Sequence, residues 1–326
     1  MTTLTMVAAI RTALAEEMGR DERVVVLGED VGHNGGVFRA TDGLLATFGE
    51  DRVFDTPISE AAIVGASVGL SIAGLVPVVE IQFAGFAAQA FHQITGQLAR
   101  MRYRSRGRFT CPVTIRAPYG GGVRTPELHA DSVEALYAHA PGLTVVVPSS
   151  AADAKGLLTS ALRHPDPVLF LEPISSYRHV SDDVPDGEHT VPLGSARVVR
   201  DPVDALIVAW GAMVPMACAA ADVIAEQRGA QVGVLDLRTL APLDLETLVS
   251  LSARTGRVVV VHEATLTGGF GAEIAATIQH EAFWSLHAPV ARVATYDLPS
   301  PAPLVEDACL PNVARIVAAI EGTLDA

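Results

Sequence analysis

Short continuous runs of Val, Ile and Leu, spaced by helix-length stretches, constrain this chain most. Val24–Leu27, Val76–Ile81, Val113–Arg116, Leu143–Val147 and Val168–Leu171 show no alternation of apolar and polar residues. Strands of that kind are covered on both faces, as in a parallel sheet between helical layers. Helical periodicity lies between them, over Met6–Met18, Ile63–Ala73, Phe86–Arg100 and Ala151–Arg163. The pattern breaks from Glu172 to Asp204, a polar, Pro/Gly-containing stretch that reads as an interdomain connection with room for a hairpin. It then resumes, with strands at Ala205–Trp210, Val232–Leu237, Val258–Val261 and Val290–Ala294. Helices fall at Met213–Gln227, Leu243–Ala253, Gly271–Glu281 and Val313–Thr323. The expectation is an α/β chain with a domain over 1–175, a linker over 176–203 and a second α/β domain over 204–326.

Composition narrows the functional classes. A chain of 326 residues, 49% hydrophobic and 18% charged, has room for two domains. A formal net charge of −14 argues against nucleic acid and against anionic membrane surfaces. Cys111, Cys218 and Cys309 are widely spaced, which fits neither a disulfide framework nor a CxxC metal site. A reducing cytoplasm is the expected compartment. Neither a signal-peptide pattern at Met1–Met6 nor an apolar run of spanning length is evident.

Four stretches could carry chemistry. In Arg52–Glu60 a strand-like run ends at Thr56-Pro57 and delivers Glu60 into a small-residue helix. A carboxylate leading into so apolar a segment needs a partner, such as a cofactor nitrogen, or else favours the positive helix end. Gly28-Glu-Asp-Val-Gly32 follows the first strand, where open α/β sheets place ligands, yet also fits a tight turn with two solvated acids. Gln82, with Phe83 and Phe86, offers amide groups beside flat apolar faces, which suits a polar heteroaromatic ring or a strand end tied to backbone. Gly120-Gly121-Gly122 precedes His129, a residue able to transfer protons near neutral pH and also one with ordinary structural roles. GxxxxGK[ST], HExxH and Cys/His metal spacings are all absent.

Taken in order, Gly28-Glu-Asp-Val31, Gly35–Leu44, Arg52–Glu60, Glu80-Ile-Gln-Phe83, Tyr103–Gly107, Gly120–His129, Asp236–Asp244 and Val261-His-Glu-Ala264 carry a resemblance. The chain resembles, end to end, the β subunit of the heterotetrameric E1 component of 2-oxo acid dehydrogenase complexes. These enzymes use thiamine diphosphate on pyruvate or branched-chain 2-oxo acids. The resemblance implies an N-terminal pyrimidine-binding domain and a C-terminal transketolase-type domain. It implies an α2β2 assembly with an E1 α subunit, and acyl transfer to the lipoyl group of an E2 acyltransferase. The family's Gly-Asp-Gly cradle for diphosphate and Mg²⁺ belongs to the α subunit, and this chain has no Gly-Asp-Gly.

By position, Glu60 matches the acid that shares a proton with the aminopyrimidine ring nitrogen. Gln82 and Phe86 match lining of the pyrimidine pocket, and Ile58 a contact beside it. His129 matches the histidine implicated in acyl transfer to lipoamide. Backbone carbonyls of Val113, Ala161, Leu162, His164 and Asp166 match a structural K⁺ site of some members. Gln89 and His92 stand where some bacterial relatives have acids of a proton path between paired sites. Gly120–His129 looks like pyruvate-type subunits, whereas His262–Gly271 with Tyr296–Pro299 looks more like branched-chain ones. An acetoin-dehydrogenase-type β subunit and a non-catalytic assembly subunit are the alternative readings.

Overall fold

The computed structural model describes residues 1–326. The strands are β1 (Thr2–Thr5), β2 (Val24–Gly28), β3 (Val53–Asp55), β4 (Val76–Glu80), β5 (Thr114–Tyr119), β6 (Thr144–Val146) and β7 (Val168–Pro173). Then come β8 (Ser181–Val184), β9 (Arg197–Arg200), β10 (Ala205–Ala209), β11 (Val232–Asp236), β12 (Thr239–Ala241), β13 (Val258–Thr265) and β14 (Ala291–Thr295). They form a seven-stranded sheet of order β12-β6-β7-β5-β4-β2-β3 and a five-stranded sheet of order β14-β13-β10-β11-β9. Both are parallel except at one edge, where β12 runs antiparallel to β6 and β9 antiparallel to β11.

The apolar runs account for this. Every residue of β2, β4, β5 and β7 is buried, as required where helices cover both faces. Helix Met6–Arg20 buries Met6, Ala9, Ile10, Ala13, Leu14 and Met18, one stripe at helical spacing, and lies on helix Ala151–Leu162. Ser150 Oγ accepts from the Asp153 amide (3.1 Å) and so starts the second of these helices.

Two expectations are corrected. The stretch from Phe86 to Arg100 is not one α-helix. Ala84–Ala90 winds as a 3₁₀-helix and His92–Leu98 as a π-helix. The first lies against the loop after β5, where the carbonyl oxygen of Leu128 fills the space that a Cβ on Gly85 would need. The second sets the His92 ring over Gly96, where a Cβ would stand 2.9 Å from Nδ1. Nor does the connection after β7 hold a hairpin. β8 pairs antiparallel with the distant β1, and β9 joins the edge of the second sheet. These pairings are non-local, so local pattern did not reveal them.

The two sheets share one interior. Tyr119, Tyr137 and Val147 belong to the same buried apolar cluster as Leu206, Val208, Trp210 and Leu240. After β11 the chain also returns to the first sheet as β12. Polar groups brace this crossing: Asp153 accepts from Arg238 (3.0 Å) and pairs with Arg197 (3.1 Å), and Ser149 donates to Asp236. A second buried network holds β4, β5 and β7 in place. Arg116 pairs with Glu80 (2.7 Å) and Glu172 (2.7 Å), and the Tyr177 hydroxyl donates to Glu172. Three buried charged groups and a phenol satisfy one another there, which is what makes their burial tolerable.

Candidate functional site

In the first sheet the chain passes from β2 to β3 on one side and then to β4 on the other. The carboxyl ends of β2 and β4 therefore flank a switch point, where open α/β sheets bind ligands. Glu29 follows β2, Glu60 opens the helix after β3, and Gln82 and Phe86 follow β4.

Glu60 is the first residue of helix Glu60–Ile72, and Ser59 before it makes no side-chain cap. Its carboxylate is favoured by the positive helix end. It is only 9% exposed, whereas Ile58 on the preceding turn is 84% exposed. Beside it lies Glu29, buried rather than solvated, with Oε1 lacking any hydrogen-bond partner. Burial raises the Glu29 carboxyl above its ordinary range, and the charges of Glu60 and Asp30 raise it further. Of the two readings the sequence left open for the Gly28–Gly32 turn, burial of Glu29 disfavours the solvated acid there. Its place directly after an all-buried strand was the signal available.

Gln82 donates to Asp30 Oδ2 (3.3 Å), so its amide is tied to a side chain rather than to backbone. Phe83, Phe86 and His129 form an aromatic wall. The His129 ring centre lies 4.5 Å from that of Phe83 and 5.0 Å from that of Phe86, both edge to face. His129 Nδ1 is 3.0 Å from the Glu127 carbonyl oxygen. A hydrogen bond there puts the proton on Nδ1 and leaves Nε2 free to accept one.

The remaining residues lie elsewhere. Val113, Ala161, Leu162, His164 and Asp166 gather at the opposite, amino-terminal ends of β5 and β7. There the Val113 carbonyl accepts from Val168 (2.9 Å) and the Ala161 carbonyl from His164 (3.1 Å). Gln89 and His92 are exposed. No group of three or more His, Cys, Asp or Glu side chains is arranged to hold a metal ion. No helix is long and apolar enough to cross a membrane.

An acid pair with an unpartnered buried oxygen, at the switch point of a parallel sheet and beside an aromatic wall, suits an aminopyrimidine. That arrangement agrees with the class that sequence comparison defines. The family described as "Transketolase, pyrimidine binding domain" matches residues 2–180, and "Transketolase, C-terminal domain" matches 194–316. The chain belongs to the family of pyruvate dehydrogenase E1 component β subunits, thiamine-diphosphate-dependent enzymes. It is 52% identical to the Bacillus subtilis (strain 168) subunit over 312 residues, 96% of each chain. It is 49% identical over 325 residues to that of Staphylococcus epidermidis, covering 100% of both. Among solved structures it superposes on a split gene transketolase, an inactive β4 tetramer, with a TM-score of 0.80 and 28% identity over 99% of this chain and 98% of that one.

Proposed function

We propose that this chain binds the aminopyrimidine end of thiamine diphosphate in an E1 enzyme acting on pyruvate, and that it passes the acyl group to the lipoyl group of an E2 acyltransferase. The observation carrying this reading is the pairing of Glu60 with a second buried acid, Glu29, whose Oε1 has no partner within the chain. When bound, the cofactor supplies the electron sink for decarboxylation of the 2-oxo acid.

Each residue has a task in this reading. Glu60 holds a proton against the pyrimidine ring nitrogen. Glu29, raised by burial and by Glu60, retains a proton more readily than an ordinary carboxyl and limits the negative charge of the pair. Phe86 and the exposed Ile58 supply apolar contact, and Gln82 a polar edge. His129 uses its free Nε2 to take up a proton and deliver it to the dithiolane sulfur as the lipoyl group accepts acyl.

The division into residues 1–175, 176–203 and 204–326 belongs to the same reading, the first part forming the pyrimidine side. An E1 α subunit in an α2β2 assembly supplies the diphosphate and Mg²⁺ side. The carbonyls of Val113, Ala161, Leu162, His164 and Asp166 are the candidate K⁺ ligands. Three free cysteines fit a cytoplasmic setting.

The test is reconstitution with an E1 α subunit, thiamine diphosphate, Mg²⁺ and a lipoyl domain, comparing kcat/KM for pyruvate with that for 2-oxoisovalerate. The expected result is turnover only with α present and a preference for pyruvate. Equal turnover without α, or a preference for the branched substrate, overturns the reading.

A further inference from the structure

The segment from Gly120 to Asp131 carries His129, yet it lacks a regular fold of its own. Gly120, Gly122, Arg124 and Leu128 all have positive φ, so four of its residues sit in a conformation that stores strain or needs glycine. Such a segment keeps one shape only if something outside it holds it.

The holding groups come from the C-terminal half. Glu263, near the end of β13, accepts a hydrogen bond from the Gly121 amide. Glu306 accepts from Gly122 (3.0 Å) through Oε1 and from Arg124 (3.1 Å) through Oε2. Both acids are buried, at 7% and 1% exposure. Farther along, Ser300 donates to Asp131, two residues beyond His129. The glycines make the approach possible. A Cβ on Gly120 would stand 2.8 Å from Glu263 Oε1, and one on Gly121 would stand 2.8 Å from Glu306 Oε1. Successive backbone amides thus form an anion-binding concavity filled by the chain's own carboxylates. Charge-assisted bonds of this kind are stronger than neutral ones.

We propose that Glu263 and Glu306 are positioning residues for acyl transfer: they lock the Gly120–Asp131 loop so that His129 stays packed against Phe83 and Phe86. The Glu60 end of the site has no contact with either acid, so the lock serves the lipoyl step and not decarboxylation. The proposal rests on the role assigned above to His129.

The experiment uses Glu306→Gln, Glu306→Asp, His129→Gln and the double variant Glu306→Gln/His129→Gln in the enzyme reconstituted with its α subunit. Two rates are read: reductive acylation of a lipoyl domain, and decarboxylation with ferricyanide as acceptor. Glu306→Gln keeps the side-chain shape but removes the charge and turns one of the two acceptor oxygens into an NH2 donor, so only one of the Gly122 and Arg124 amides keeps an acceptor. It is expected to slow reductive acylation by about tenfold while ferricyanide-coupled decarboxylation stays within about twofold. Glu306→Asp recovers less than half of the loss, because the shorter side chain withdraws its oxygens from the two amides. The double variant is expected to be no slower in acylation than His129→Gln alone, since both act through one group. Backbone hydrogen exchange at Gly121, Gly122 and Arg124 rises in Glu306→Gln whatever His129 does.

An equal fall in both rates, additive loss in the double variant, or unchanged exchange in the loop overturns the lock. Normal acylation by His129→Gln instead removes the assigned role of His129. In that event faster loop exchange without slower acylation in Glu306→Gln rejects positioning for catalysis. Thermal unfolding of each variant separates these outcomes from loss of the fold.

Discussion

Gly85 and Leu128 are in direct backbone contact: the carbonyl oxygen of Leu128 occupies the space that a Cβ on Gly85 would need. The 3₁₀ segment after β4 and the histidine loop after β5 are therefore a matched pair, and Phe86 and His129 meet because of it.

Gly85→Ala should consequently push the loop away. The obstructing atom is backbone and cannot rotate aside, so a cost of about 1–3 kcal/mol is expected. The melting temperature should fall by several degrees, and acyl transfer to a lipoyl domain should slow more than decarboxylation does. Thermal unfolding with both partial reactions checks this. An unchanged melting temperature would refute the close contact.

Glu60→Gln should slow decarboxylation by at least about a hundredfold, the usual scale for losing a positioned acid or base. Stability should hold or rise slightly, since the charge beside Glu29 disappears. Ile58→Ala, at an 84% exposed position, should leave the melting temperature of the lone chain unchanged. In the assembled enzyme it should weaken cofactor binding about tenfold, the scale of one buried aliphatic side chain. Calorimetric titration with thiamine diphosphate measures the difference.

Arg116→Met should be strongly destabilising. It leaves Glu80 and Glu172 buried without their cation, and breaking one member of such a group costs about 3–5 kcal/mol. Burial already pushes the Glu80 carboxyl up despite Arg116. The thermal midpoint should drop sharply, with partial recovery at low pH as Glu80, already raised by burial, takes up a proton. A midpoint independent of pH would contradict this account.

Glu134 is buried, accepts from Trp210 Nε1 (3.3 Å) and has Oε2 unpartnered. Burial pushes its carboxyl from 4.5 up to about 7. Burial likewise pushes Glu263 and Asp236 up to about 7. A raised folded-state acid contributes stability that is fully present below its unfolded value and is lost as pH rises through the folded value. Stability should therefore decline between about pH 5 and pH 8. Glu134→Gln should flatten that decline by up to roughly 3 kcal/mol, the free-energy equivalent of its shift. Melting curves across this pH range, wild type against variant, provide the comparison.

Much of this protein is written locally. The apolar runs at Val24, Val76 and Val168 become all-buried parallel strands, because a strand covered on both faces has no use for alternation. Glu60, Gln82 and Phe86 stood out in the sequence because each lies just past a strand end, and His129 because it follows a glycine-rich loop; the roles proposed for them came from the resemblance. Other features were not. For Glu29 the sequence left a ligand position and a solvated turn equally open, and only the fold put it, buried, beside Glu60. The segment Phe86–Arg100 has helical periodicity, yet it winds tighter than an α-helix up to Ala90 and looser over His92–Leu98. Ser181–Val184 gives no sign that its partner is Thr2–Thr5.

The sequence by itself determined the layered α/β architecture and the kinds of group at the strand ends, because burial and turn chemistry act between near neighbours. The tertiary structure decided how those groups are shared. It set Glu263 and Glu306 from one half against the amides of Gly121, Gly122 and Arg124 in the other. Such a contact joins residues more than a hundred positions apart, and its strength comes from exclusion of water at an interface that exists only once both sheets have formed.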